Sequence, residues 1–118
     1  FLAIDVGGSS VKSAVVVDGE ITEFSKEPVA TGLDGLVSQL ARLYGESGLA
    51  WGLCLPGLID ARTGTVHYSA NLGLRDVAFL DALQGEVPRP LVFENGLVGC
   101  DEAVFVGRAD LELQSPMV

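Results

Sequence analysis

The pair Asp18-Gly19 stands between a β-branched run, Val11 to Val17, and an apolar stretch that begins at Ile21. Both central positions of a two-residue hairpin take positive φ, which Asp and Gly tolerate, so the flanking runs must fold back as antiparallel strands. A second reversal precedes this one. The apolar run Phe1 to Ile4 ends at Asp5, and Gly7-Gly8-Ser9-Ser10 separates it from Val11. Pro28 limits the third run, because proline cannot donate to a ladder. The chain therefore opens as a three-stranded antiparallel meander, which excludes a purely parallel sheet.

Helical periodicity follows. Leu33, Leu36, Val37, Leu40, Ala41 and Tyr44 recur at i, i+3, i+4, i+7, i+8 and i+11, which is one face of a helix. Thr31 with Asp34 forms a capping-box candidate, and Gly45 or Gly48 can close the far end. Leu49 to Leu55 reads as a buried strand stopped by Pro56-Gly57, and Thr63-Gly64 as a turn before Val66 to Ser69. Val77, Leu80 and Leu83 predict a short helix capped by Asp76. Leu91 to Glu94 is the last strand, and Leu97 to Val106 a last helix weakened by Gly99. The order predicts an α/β domain with a mixed sheet. The lobe should occupy residues 1–107, leaving 108–118 as a tail or the start of a connection.

At 118 residues, with 48% hydrophobic and 19% charged side chains, the chain is one globular domain. Its apolar runs are too short to span a bilayer, and no secretory signal is present, so a cytoplasmic site is expected. Cys54 and Cys100 lack metal-ligand spacing and read as buried free thiols of a reducing compartment. Sixteen acids against seven bases give a net charge of −9, a surface that a nucleic-acid duplex repels. His67, the only histidine, has no catalytic pattern around it and reads as a surface or half-buried strand residue. Trp51 is expected in the core, and Arg75-Asp76 as a local turn salt link. Phe1 opens directly into a strand, so the chain is expected to be cut from something longer.

Four short stretches can carry chemistry. In Asp5-Val6-Gly7-Gly8-Ser9, with Lys12 beyond, a glycine turn lets amides approach phosphate oxygens, and a strand-end Asp can hold hydrated magnesium. The turn joins two strands, which excludes a dinucleotide fingerprint and a P-loop, both of which open helices. A phosphate-binding hairpin or a plain tight turn remains. Leu55-Pro56-Gly57-Leu58-Ile59-Asp60 is by itself a strand running into a turn. In the stretch from Ser69 to Asp76, Asn71 offers an amide donor and acceptor suited to sugar hydroxyls. Glu94-Asn95-Gly96 puts an acid and an amide at a strand end, where α/β sheets place ligand groups.

Taken together, in this order and spacing, the four stretches resemble the N-terminal lobe of ROK proteins, a family of sugar kinases and sugar-responsive repressors. The resemblance implies a ribonuclease H-like (actin-like ATPase) lobe with a mixed five-stranded sheet, an antiparallel three-strand start and flanking helices. It implies Asp5 near a water-held magnesium ion and Gly7, Gly8 and Ser9 near nucleotide phosphates. Asn71, Glu94 and Asn95 would face a sugar. Family kinases place an Asp directly after the Glu-Asn pair, as general base on the sugar hydroxyl. Here that position is Gly96, and Leu74 replaces a frequent Trp.

A kept phosphate turn with a lost base implies a sugar-responsive transcriptional regulator of the ROK type. A winged helix outside this chain would then hold DNA, and the family alone suggests a homodimer. The alternative is the N-terminal lobe of an ATP-dependent glucokinase-like or N-acetylglucosamine kinase-like enzyme. On either reading ATP and magnesium would belong to a two-lobed protein, and the isolated lobe should bind neither tightly.

Overall fold

The computed structural model describes residues 1–95. The expected helix at 97–106, the tail at 108–118, Gly96 and Cys100 lie outside the described residues.

The opening meander is present as β1 (Leu2–Val6), β2 (Ser10–Val17) and β3 (Glu20–Pro28). Asp18 and Gly19 both take positive φ, 51° and 79°, which closes the β2–β3 hairpin as the sequence predicts. After α1 (Gly32–Tyr44) come β4 (Trp51–Leu55) and, at the far end, β8 (Val92–Asn95). The main sheet runs β3-β2-β1-β4-β8, with β4 parallel to β1 and β8 parallel to β4. Between β4 and β8 the chain builds a second antiparallel sheet of β5 (Leu58–Asp60), β6 (Thr65–Ser69) and β7 (Leu74–Ala78), then a short helix α2 (Phe79–Leu83). This is the expected mixed α/β fold with a mixed five-stranded sheet.

Alternation along the strands divides the core. Leu2, Ile4 and Val6 join Trp51, Leu53 and Leu55 on the face that buries Leu36, Leu40 and Tyr44 of α1. Phe1, Ala3, Val16, Cys54 and Val92 form a second cluster. Trp51 is buried as expected, and its indole N–H donates to the Pro88 carbonyl at 2.7 Å, which satisfies the one polar atom of the ring.

Three expectations are corrected. Val77 and Asp76 belong to β7, not to a helix and its cap, because β6 supplies an antiparallel partner from Thr65 to Ser69. The helix starts at Phe79, and Ala78 at its N-cap makes no side-chain bond. Thr31 does occupy the N-cap of α1, but its hydroxyl caps nothing. Cys54 is disulfide-bonded, not a free thiol.

The entry to α1 is held from further along the helix. Gln39 is buried; its Oε1 accepts from Ala30 N–H, and its Nε2 donates to Pro28 C=O and Glu27 Oε1, each at 2.8 Å. Gln39→Leu strands two backbone groups and should cost about 1–3 kcal/mol in urea unfolding. The hydrogen bond from Gln39, reinforced by the Arg42 guanidinium and opposed by partial burial, holds the Glu27 carboxyl below its ordinary value of 4.5. Ionised Glu27 therefore stabilises the fold above that ordinary value, and the contribution fades as pH falls through the lowered folded value. The cost of Gln39→Leu should shrink across that acid window; a cost unchanged with pH would refute the linkage.

Candidate functional site

The β1–β2 turn is tight. Gly7 N–H donates to Ser10 C=O at 2.8 Å, and Ser9 C=O accepts from Val29 N–H at 3.2 Å as β3 ends. The Gly7 amide is thereby engaged, so a phosphate at this turn would meet the amides of Gly8 and Ser9 at its exposed tip. Asp5 is half-buried near the end of β1, in register with Lys12 on β2. An acid and a base as cross-strand neighbours favour each other.

Parallel pairing sets a row across the sheet. Asp5 pairs with Cys54 and Cys54 with Glu94, while Leu55 pairs with Asn95 one step further on. With strands about 4.8 Å apart, the Asp5 and Glu94 backbones stand roughly 10 Å apart. This is the C-terminal edge of the parallel strands, where open α/β sheets bind ligands. No cluster of three or more His, Cys, Asp or Glu poised for a metal exists among the described residues. The single carboxylate of Asp5 suits magnesium carried in on phosphates and kept largely hydrated, not a resident ion in a protein cage.

Asn71 reaches this edge from the second sheet. It follows β6 in the turn that leads to β7, and its carboxamide lies directly against Gly8. A β-carbon on residue 8 would stand 2.9 Å from Asn71 Nδ2 and 3.1 Å from its Cγ. A side chain sixty-three positions away thus lies against residue 8, and the first and third of the candidate stretches meet at one point.

Gly57 closes the other side of that turn. Its φ is 115°, and a β-carbon there would enter the shell of the Tyr68 carbonyl oxygen and approach Ser69 Cα and Cβ to 2.9 Å. A groove of about 290 Å³ runs between the Pro56-Gly57 turn and Ala70-Asn71, with Leu58, Tyr68 and Ser69 completing its lining. Ser69 is buried, and its Oγ is the one buried side-chain atom without a hydrogen-bond partner among the described residues. Asp60 ends β5 as a turn former, its Oδ1 accepting from Arg62 N–H at 3.0 Å and Thr63 N–H at 3.4 Å.

On the exposed side of the small sheet, Arg75 lies over the Tyr68 ring, 5.0 Å from its centroid, instead of pairing with Asp76. Asp76, with φ 52°, faces His67 Nδ1 at 3.8 Å, while Asp60 lies 3.9 Å from His67 Nε2. His67 is the surface strand residue that the sequence predicts.

Sequence reading missed Ser69, the close approach of Gly57 and the Tyr68–Arg75 stack. Leu74-Arg75-Asp76-Val77 shows no clean period-2 alternation, and the i, i+3 spacing of Val77 and Leu80 imitated a helix. Burial of the Ser69 hydroxyl had no local signal, since serine in a turn is ordinarily exposed.

Comparison with known proteins agrees with this geometry. The model of the ROK family matches residues 1–113. A glucokinase of Halalkalibacterium halodurans is 28% identical over 108 residues, covering 80% of this chain and 33% of the enzyme. Among solved structures, a ROK family glucokinase from Streptomyces griseus in complex with glucose and AMPPNP is 25% identical. It superimposes with a TM-score of 0.69 over 80% of this chain and 32% of its own. A ROK family transcriptional regulator, a homologue of the E. coli MLC protein, shares the fold at 20% identity and a TM-score of 0.64, over 80% of this chain and 27% of its own. The chain thus spans about a third of the length of the proteins it matches. With its main-sheet order, its glycine turn and the family match over nearly all its residues, the chain belongs to the ROK family.

Proposed function

We propose that this chain is the N-terminal, sugar-sensing lobe of a ROK-type regulator that has lost kinase chemistry. The lobe would occupy residues 1–107, with 108–118 leading to a second lobe. The observation that carries this reading is Gly96, which directly follows in sequence the Glu94-Asn95 pair that ends β8. Family kinases need a carboxylate there to take the sugar hydroxyl proton, and glycine has none. The sugar would lie among Asn71, Glu94 and Asn95. Nucleotide phosphates, where bound, would meet the turn of Gly7, Gly8 and Ser9, with Asp5 holding magnesium through water.

The net charge of −9 disfavours binding to a nucleic-acid duplex, so we assign DNA contact to a winged helix elsewhere in the protein. No helix among the described residues is long and apolar enough to cross a membrane. The second reading, an ATP-dependent sugar kinase, is favoured by the likeness to the Halalkalibacterium glucokinase.

Calorimetry and turnover on the full-length protein separate the two. The sensor reading expects saturable binding of a hexose and almost no sugar-dependent ATP hydrolysis. Turnover near the ordinary enzymatic range of about 1–1000 s⁻¹ would establish the kinase instead. Residues 1–118 alone should show no turnover, since half a cleft cannot position both substrates.

A further inference from the structure

Cys54 stands at the centre of the row across the main sheet, with Asp5 in register on one side and Glu94 on the other. Leu53 and Leu55, its neighbours along β4, belong to the cluster that packs on α1, so alternation turns Cys54 to the opposite face. It is fully buried there, clustered with Phe1, Ala3, Val16 and Val92. No residue of α1, α2 or the small sheet joins that cluster. Cys54 is disulfide-bonded, and the chain holds one other cysteine, Cys100, five positions beyond the end of β8.

We propose that a Cys54–Cys100 disulfide is a redox switch for the sugar site: it ties the chain that leaves β8 to the middle of the sheet, and its reduction weakens hexose binding. A disulfide holds its two Cα atoms about 4.4–6.8 Å apart. The stretch after Asn95 is then closed into a short ring, with the β4–β8 ladder at one end and the sulfur bridge at the other. Glu94 and Asn95, the residues proposed for the sugar, lead directly into that ring. Without the bridge the stretch is tethered at one end only, and a sugar that needs it in place loses more entropy on binding. The switch rests on the reading of Glu94 and Asn95 as sugar ligands and adds a control on them.

The step is thiol–disulfide exchange with a small dithiol. Cys54 is buried, so one reagent thiolate attacks the Cys100 sulfur and Cys54 leaves as the thiolate. The second reagent thiolate attacks the reagent sulfur of the mixed disulfide, releasing Cys100 and a cyclic disulfide. Two electrons pass to the protein, and the two protons of the dithiol end on its cysteine thiols.

The test uses the full-length protein in dithiothreitol buffers of graded redox ratio, with thiols trapped by alkylation and mapped by peptide mass. Cys54 and Cys100 should appear as one linked peptide pair in oxidising buffer and as two alkylated thiols in reducing buffer. Calorimetry with glucose, or N-acetylglucosamine where glucose does not bind, should give a dissociation constant at least about fivefold larger for the reduced protein, the lower end of ordinary allosteric coupling. Cys100→Ser should match the reduced wild type in both buffers. Saturating sugar should shift the exchange equilibrium toward the disulfide by the same factor, which a merely structural staple would not do. Two alkylated thiols or an unreduced pair in every buffer, or Cys54 linked to a different cysteine, overturns the switch. Equal sugar affinity in the two redox states also overturns it and leaves the sugar-lobe reading intact. A protein that binds neither sugar in either state overturns both.

Discussion

Replacing Gly96 by Asp in the full-length protein should raise sugar-dependent ATP turnover by roughly 10²- to 10⁴-fold, the usual contribution of a positioned general base. That range corresponds to about 2.7–5.5 kcal/mol of activation free energy. The reasoning starts from register. Asn95 ends β8 opposite Leu55, and residue 96 is next in sequence, one position beyond the amide and two beyond Glu94. A carboxylate on that residue supplies the one proton acceptor that the family's kinase pattern has and this chain lacks. Gly96→Asn is the matched control: it adds a side chain of the same size that cannot take the proton, and turnover should stay at the wild-type level. Equal gains from Asp and Asn would assign the effect to packing. A wild type that already turns over well and gains little from Gly96→Asp would restore the kinase reading.

Gly57→Ala should be the most damaging single methyl in the described lobe, at about 3–5 kcal/mol. Two costs add at this position. A φ of 115° is strained for any residue with a β-carbon, at about 1–3 kcal/mol. The new methyl also meets backbone, the Tyr68 carbonyl and the Ser69 Cα, and neither can step aside without moving β6. With folding stabilities ordinarily about 5–15 kcal/mol, such a loss leaves the lobe marginal. Urea unfolding read from Trp51, the one tryptophan and a buried one, should show the midpoint falling by about 2 M. A loss below about 1 kcal/mol would mean that the Pro56-Gly57 turn does not press on β6. Gly8→Ala is the instructive contrast. Its obstacle is the exposed end of the Asn71 side chain, which can swing away, so stability should change little.

These two glycines show where local reading stops. Both sit in Gly-containing turns that the sequence marks plainly, and turn chemistry explains why glycine is allowed in each. It does not show what a side chain there would meet. At residue 57 that is the backbone of a strand eleven residues on, and at residue 8 the movable amide of Asn71, between β6 and β7 of the small sheet.

Most of the main sheet was legible because its signals are local: Asp18-Gly19 with its positive φ, the 3.6-residue stripe of α1, and Pro28 and Pro56 as stops. That Asp5, ahead of the Gly7-Gly8 turn, and the Glu94-Asn95 strand end share one edge came from the parallel pairing of β1, β4 and β8. Local spacing misled at Val77, where i, i+3 matches to Leu80 hid the strand that β6 pairs with. Thr31 and Asp34 had the letters of a capping box, yet Gln39, two turns into the helix, supplies the hydrogen bonds.

By itself, then, the sequence determined the meander, the first helix and the identity of residue 96, because each depends only on neighbours a few positions apart. Tertiary structure alone decided that Asn71 lies on Gly8 and that the Ser69 hydroxyl is buried beside the groove with no partner among the described residues. Such contacts join residues far apart in the chain, and only packing and register set the distance between them.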